Sequence, residues 1–168
     1  MKRARQKYRT LFLIRNGENM KRTELRENIF KLLFVSMFTD KEEMSEQLKL
    51  YFEGLDKLAE NDQTYMEDKV GSVLEKEKEI DDILNNTSKG WKTTRMSKVD
   101  LTILRLAVYE ILFDPDVPTG VAINEAVELA KQFGGDDSSA FINGILGKIA
   151  AAHEKKEAAV EQTETEKA

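Results

Sequence analysis

The segment from residue 121 to residue 149, VAINEAVELAKQFGGDDSSAFINGILGKI, predicts two helices joined by a tight polar corner. After Pro118, apolar residues recur three and four positions apart, as along one face of an α-helix: Ile123, Ala126, Val127 and Ala130. Gly134 and Gly135 suit the left-handed conformation that ends a helix, and the Asp and Ser residues after them suit the cap of the next one. That second helix has the apolar stripe Phe141, Ile142, Ile145, Leu146 and Ile149.

Helical periodicity continues through the rest of the chain, without strand-like alternation. It predicts earlier helices over 21–37, 42–61 and 65–84, the last interrupted near the charged run EKEKE. Residues 101–113 are apolar on nearly every side, so this helix should run through the middle of a core. The connector 89–97 has room for a short helix, with Trp91 as its buried anchor. The predicted fold class is all-α.

Two pairs of residues in the helical segments predict structural contacts. Gly144 and Gly147 lie inside a helix, where each glycine costs about 1 kcal/mol relative to alanine, so we expect another element to pack closely against them. Asn124 and Asn143 are poor helix formers that need hydrogen-bond partners. We therefore expect them to bond between helices.

The bulk composition limits the kind of protein that this chain can be. Its 168 residues suit one domain, and the absence of cysteine excludes disulfides and thiol chemistry. No apolar run is long enough for a membrane span or for a secretory signal. We expect a cytoplasmic protein with no membrane partner.

The sequence offers no catalytic, cofactor-binding or metal-binding pattern. The only histidine is His153, so serine–histidine and cysteine–histidine catalysis are excluded. Asp81 and Asp82 lie in a charge run that is typical of a solvated helix face. Glu125 and Glu128 lie one turn apart, like helical metal ligands, but the accompanying Glu-x-x-His motif is missing. No glycine-rich phosphate-binding loop is present, so we predict a protein that is not an enzyme.

Positive charge is concentrated at the N-terminus of an otherwise acidic chain. The first 26 residues contain nine Lys and Arg against Glu18 and Glu24, whereas the chain as a whole carries a net charge of −5. Such an asymmetry favours an anionic partner such as nucleic acid. A terminus that only keeps the protein in solution explains the charge equally well.

The blocks AINEAVELAK, FGGDDS and FINGILGK, together with GWKTTRMSKVDLTILRLAVYEI and MKRTELRENIFKLLF, resemble the NusB transcription antitermination factors of bacteria. The resemblance covers about residues 20 to 150. It implies a bundle of about seven helices in two sub-bundles, and RNA binding without catalysis. The implied ligand is the single-stranded boxA element of ribosomal RNA leader transcripts. It would be bound together with NusE, a ribosomal protein of the small subunit, within the RNA polymerase antitermination complex.

The resemblance also implies a set of RNA-binding residues. Lys21, Arg22 and Arg26 match the family's basic segment, and Phe34 takes a position that is often tyrosine. An aromatic ring there can stack on an unpaired base, or pack in the core. The polar corner and the helix after it supply the remaining members of the set, which are Asp137, Ser138 and Phe141. Helix capping explains Asp137 without RNA, and core packing explains Phe141.

Two other functions remain open from the sequence. One is a protein-interaction module without specific RNA binding. The other is a stand-alone relative of the NusB-like domain of ribosomal RNA cytosine methyltransferases. The free protein could be a monomer or a homodimer.

The chain divides into a basic extension at 1–19, a NusB-like domain at 20–152 and a charged, disordered tail at 153–168. The extension suggests an initiation codon assigned too early. Gly17 and Glu18 require a GGN-GAR codon pair, which is compatible with a ribosome-binding sequence just before Met20. The intact mass of the protein from its native host tests this hypothesis, because a mass that includes residues 1–19 contradicts it.

Overall fold

The computed structural model describes residues 19–165, and side chains up to residue 162. This part of the chain forms seven α-helices and one short 3-10 helix, Thr93–Arg95, without any strand. The α-helices are α1 (Arg22–Ser36), α2 (Met44–Glu53), α3 (Glu60–Glu75), α4 (Glu77–Thr87), α5 (Lys98–Phe113), α6 (Thr119–Phe133) and α7 (Ser138–Thr165). The chain divides into two compact units after Glu75. Helices α1–α3 belong to the first unit and α4–α7 to the second. The predicted all-α fold with two sub-bundles is confirmed.

None of the helices in the described residues is long and apolar enough to span a membrane. The interruption predicted near EKEKE is also present, because Lys76 separates α3 from α4. The second predicted helix, 42–61, is too long. In the structure α2 ends at Glu53, and Gly54 follows it as the C-cap.

In the first unit, α1 packs against α2 and α3. The contact face of α1 is its apolar side, with Leu25, Ile29, Phe30, Leu32 and Leu33 all buried. Two polar links supplement this packing. The Tyr51 hydroxyl donates to Asn28 Oδ1 at 2.6 Å, and the backbone amide of Met20 donates to the buried Asp62 carboxylate at 2.8 Å. The second link fixes the chain immediately before α1.

In the second unit, α5 is the central helix and packs against α4, α6 and α7. Its apolar side chains are buried around most of its circumference, as the sequence predicts. The guanidinium of Arg105 forms a bidentate bond with Asp81, with N···O distances of 2.9 and 2.7 Å, and also lies 3.2 Å from Glu77. The solvated role predicted for Asp81 is therefore wrong, because this carboxylate ties α4 to α5.

The corner between α6 and α7 depends on Gly134, but not for the predicted reason. Its φ of −89° and ψ of −179° are extended rather than left-handed. A Cβ at this position would lie 2.6 Å from Ser138 Cβ and 2.7 Å from the Ala130 carbonyl oxygen. Glycine is needed because no side chain fits between the end of α6 and the start of α7.

The predicted structural contacts of the other glycines and of the asparagines are wrong. Gly144 and Gly147 are exposed, and a Cβ on either one would meet no atom within 4 Å. Asn124 and Asn143 are exposed as well. These four residues lie on the outward sides of α6 and α7, while the buried stripe of α7 faces the core.

The last helix, α7, continues to Thr165, where the sequence predicts a disordered tail from residue 153. The residues of this extension are mainly Ala, Glu and Lys, which favour helix through their intrinsic propensity. From residue 154 to residue 162 every side chain is exposed, so the extension buries little. The described part of the chain does not include residues 166–168 of the predicted tail. It also does not include residues 1–18 of the predicted basic N-terminal extension.

The open surroundings of Gly144 and Gly147 generate a stability prediction. Replacing either one with alanine should raise the free energy of unfolding by about 1 kcal/mol, because alanine restricts the unfolded chain and adds no clash. Chemical denaturation monitored by circular dichroism measures the change. Gly134→Ala is the matched control and should lower stability. A loss of stability for Gly144→Ala would show that something in the folded protein occupies this face.

Candidate nucleic-acid interface

In the first unit, two of the predicted cations stand at the beginning of α1. Lys21 is the N-cap residue, with extended φ and ψ of −67° and 153°, and Arg22 is the first residue of the helix. Both are exposed. The Lys21 carbonyl accepts the bond that starts the helix, from the amide of Leu25 at 2.9 Å. Together with the bond between Met20 and Asp62, this fixes the backbone from which both side chains project.

Helix stability does not account for cations at this end of α1. The N-terminus of a helix carries partial positive charge, and a cation there is unfavourable by about 0.3–1 kcal/mol. Lys21 also provides no side-chain cap. The positive charge of Lys21 therefore does not serve the stability of α1.

Arg26, the third predicted cation, lies in a different environment. Its side chain is only 8% exposed, and it lies on the buried face of α1 near Leu25 and Ile29. A buried guanidinium cannot approach a phosphate without rearrangement of its surroundings. The structure therefore separates Arg26 from Lys21 and Arg22 by accessibility.

Phe34 is the middle member of an aromatic row that runs along α1 and ends just beyond it. Its ring centroid lies 6.2 Å from that of Phe30 and 5.2 Å from that of Phe38, in tilted and edge-to-face arrangements. Phe30 is 3% exposed and Phe38 is 66% exposed, so the row leads from the core to the surface. Phe34 is half-buried between them. It contributes to packing and is also partly accessible to solvent.

A polar network supports α1 beneath this surface. Asn28 donates to the Glu24 carbonyl at 2.9 Å and accepts from the Tyr51 hydroxyl, which links α1 to α2. Burial, with the nearby Glu27 carboxylate as a second cause, raises the pKa of Tyr51 above its usual value of 10.0. The hydroxyl therefore keeps its proton at physiological pH and remains a donor.

In the second unit, the residues of the polar corner differ in accessibility. Ser138 is 7% exposed, and its hydroxyl accepts a hydrogen bond from the Gly135 amide at 2.9 Å. Asp137 is exposed, and its carbonyl accepts from the amide of Phe141 at 3.1 Å in the first turn of α7. Phe141 is half-buried. The hydroxyl of Ser138 thus holds the corner together, and the carboxylate of Asp137, like that of Asp136, is accessible.

Sequence reasoning missed two exposed aromatic residues. Phe38 extends the row on α1, and its spacing of four residues from Phe34 was the available signal. Trp91, predicted as a buried anchor, is 50% exposed, so that prediction is wrong. Thr93 and Met96 are the buried residues of its connector. Within residues 19–165 no group of His, Asp and Glu side chains is arranged to hold a metal ion.

Comparison with known proteins agrees with this architecture. A sequence model of the NusB family matches residues 23–151. The transcription antitermination protein NusB of Agathobacter rectalis is 50% identical over 131 residues, which are 78% of this chain and all of that protein. Among solved structures, NusB of T. maritima is 35% identical and superimposes with a TM-score of 0.72, covering 83% of this chain and 96% of that one. A structure described as antitermination factors NusB and NusE in complex with dsRNA has the same fold, with 22% identity, a TM-score of 0.68 and coverage of 78% and 96%.

Fold and surface together define an all-α protein of two helical units, with exposed cations at the beginning of its first helix and one exposed phenylalanine just beyond its end. The match of the family model over most of the chain makes the assignment specific. This chain belongs to the NusB family, the transcription antitermination factors.

Proposed function

We propose that this protein binds the single-stranded boxA element of ribosomal RNA leader transcripts together with NusE. It would thereby help RNA polymerase to pass termination signals. The observation that carries the proposal is the chemistry at the two ends of α1: Lys21 and Arg22 are exposed at its beginning, and half-buried Phe34 contacts exposed Phe38 just beyond its end. A solved structure of the same fold, described as NusB and NusE in complex with dsRNA, supports RNA and NusE as the kinds of partner.

The chemistry of this surface suits an unpaired RNA strand. Lys21 and Arg22 attract phosphates, which fixes the strand without reading its sequence. Phe34, or Phe38 beside it, offers a ring on which an exposed base can stack. Bases in a duplex are already stacked on one another, so a ring of this kind favours a single strand.

The second unit contributes polar contacts at the corner before α7. The exposed carboxylate of Asp137 can accept from a base amino group, although it repels phosphate. Ser138 acts differently from the sequence-based expectation, because its hydroxyl already accepts from Gly135. In this proposal Ser138 positions the corner, and Asp137 makes the contact. Arg26 is buried and contributes through packing, whereas half-buried Phe141 contributes to packing and is also partly accessible.

Binding alone carries the function in this proposal. The chain's only histidine, His153, lies on the extension of α7 beside Glu157, far along the sequence from the surface of α1. A salt-dependent preference for boxA over a scrambled single strand, strengthened by NusE, is the expected result of a titration. Equal affinity for both RNAs and no effect of NusE would favour the protein-interaction module instead.

Removing the exposed cations of α1 should weaken RNA binding without affecting the fold. Each phosphate contact contributes about 0.7 to the slope of log K against log salt. The double variant Lys21→Ala/Arg22→Ala loses two such contacts, so its slope should become shallower by about 1.4. Fluorescence anisotropy of labelled boxA RNA at several salt concentrations measures this slope. Lys155→Ala/Lys156→Ala, which removes two exposed lysines of α7, is the matched control. An unchanged slope in the α1 variant would remove these cations from the interface.

Phe34→Ala separates base stacking from core packing. Affinity for boxA RNA should fall about fivefold or more, the lower range for a stacked base. Because Phe34 is half-buried, its loss of stability should be smaller than that of Phe30→Ala, for which a fully buried ring predicts about 3–5 kcal/mol. Phe34→Tyr should retain binding. A stability loss equal to that of Phe30→Ala, with unchanged affinity of the folded protein, would assign Phe34 to the core alone.

A further inference from the structure

A second exposed aromatic residue lies in the connector between α4 and α5, within the second unit. Trp91, the chain's one tryptophan, is 50% exposed. Tryptophan combines the largest apolar ring system with a single N–H donor, so folding ordinarily buries most of it. An indole left half in solvent on a connector that is itself well anchored is available for contact with a partner.

The backbone of the connector holds Trp91 in a fixed position. Its amide donates to the Ser88 carbonyl at 3.0 Å, and its carbonyl accepts from the Ser88 hydroxyl at 2.6 Å. Gly90 has a φ of +92°, a conformation that directs the chain into this turn and that other residues rarely adopt. Two residues later, the Thr93 amide donates to Asn85 Oδ1 at 2.8 Å. The indole is therefore presented from an ordered turn.

Four cations accompany this indole. Lys89, Lys92, Arg95 and Lys98 are all exposed, and no Asp or Glu occurs from residue 89 to residue 99. Within the described part of the chain none of the four forms an ion pair, and Lys92 Nζ makes one contact of 3.3 Å to the Asn85 carbonyl. The Cα atoms of Lys89 and Lys92 lie within about 8 Å of that of Trp91, since consecutive Cα atoms are about 3.8 Å apart.

We propose that the segment 89–98, with Trp91 at its centre, is a further contact surface for single-stranded RNA. The indole stacks on an unpaired base, and the flanking cations neutralise the phosphates on either side of that base. The inference rests on the proposed function, because it takes RNA as the ligand. It adds a contact in the second unit to the surface of α1 and to the polar corner.

An acidic peptide is the alternative anionic ligand, and the observations favour RNA over it. Carboxylates need the cations alone, and they give no reason for an exposed indole held in an ordered turn. A nucleotide strand uses both features at once, because each residue of the strand carries one phosphate and one aromatic face. A duplex would use the cations but would leave the indole without a free base.

The single tryptophan makes the contact directly measurable. Its intrinsic fluorescence should be quenched by boxA RNA that carries its natural flanking nucleotides, because a base stacked on the indole alters its emission. Polyglutamate and a duplex of the same sequence are the comparison probes. Quenching by polyglutamate equal to that by the single strand would overturn the proposal in favour of an acidic protein partner, and quenching by the duplex alone would overturn the single-stranded ligand.

Substitutions separate stacking from charge in the same assay. Trp91→Ala should lower the affinity for single-stranded RNA about fivefold or more, with an unchanged melting temperature, and Trp91→Phe should retain most of it. Leu50→Ala, which truncates a side chain that is 54% exposed in the first unit, is the matched control. Lys89→Ala/Lys92→Ala should make the salt slope shallower by about 1.4, whereas Lys155→Ala/Lys156→Ala should leave it unchanged.

The outcomes distinguish this proposal from the proposed function. If RNA binds through Lys21 and Arg22 but neither quenches Trp91 nor depends on it, the contact surface at 89–98 is refuted and the proposed function stands. If no variant and no wild-type protein binds boxA RNA, with or without NusE, both are refuted.

Discussion

The apolar surface of α5 is the constraint on which the second unit depends. Ile103, Leu104, Leu106 and Val108 point in different directions from the helix axis, and each is about 1% exposed or less. A helix of this kind is stable only when other helices enclose it, which α4, α6 and α7 do. Each large side chain buried in this way contributes about 1.5–3 kcal/mol. The connector before α5, and with it the position of Trp91, follows from this enclosure, and so does the polar corner between α6 and α7, since both of these helices pack on α5.

Patterns that repeat at helical spacing predicted the fold well, because burial of one face follows from local sequence. The sequence predicted the core helix α5, the break at Lys76 and the buried stripe of α7. Contacts between distant residues were not. The pairing of Asp81 with Arg105 joins residues 24 positions apart on two helices, and only the packing of those helices shows that they meet.

The candidate site was predictable in residue type but less so in accessibility. Lys21, Arg22 and Asp137 are exposed as their chemistry requires, whereas Arg26 and Ser138 are buried. For Ser138 the sequence could not show that Gly135 would satisfy its hydroxyl, since that bond depends on the geometry of the corner. Trp91 shows the opposite error. Hydrophobicity predicted its burial, although Thr93 and Met96 are the buried residues of the connector.

The positive φ of Gly90 has a consequence for genetics. Any other residue at this position would strain the turn by about 1–2 kcal/mol and would redirect the chain just before Trp91. If Trp91 contacts RNA as proposed, a screen for impaired transcriptional read-through would recover substitutions at residue 90, although glycine has no side chain with which to touch a ligand. Such alleles would owe their phenotype to a misdirected neighbour, and a second-site change that restores the turn would suppress them.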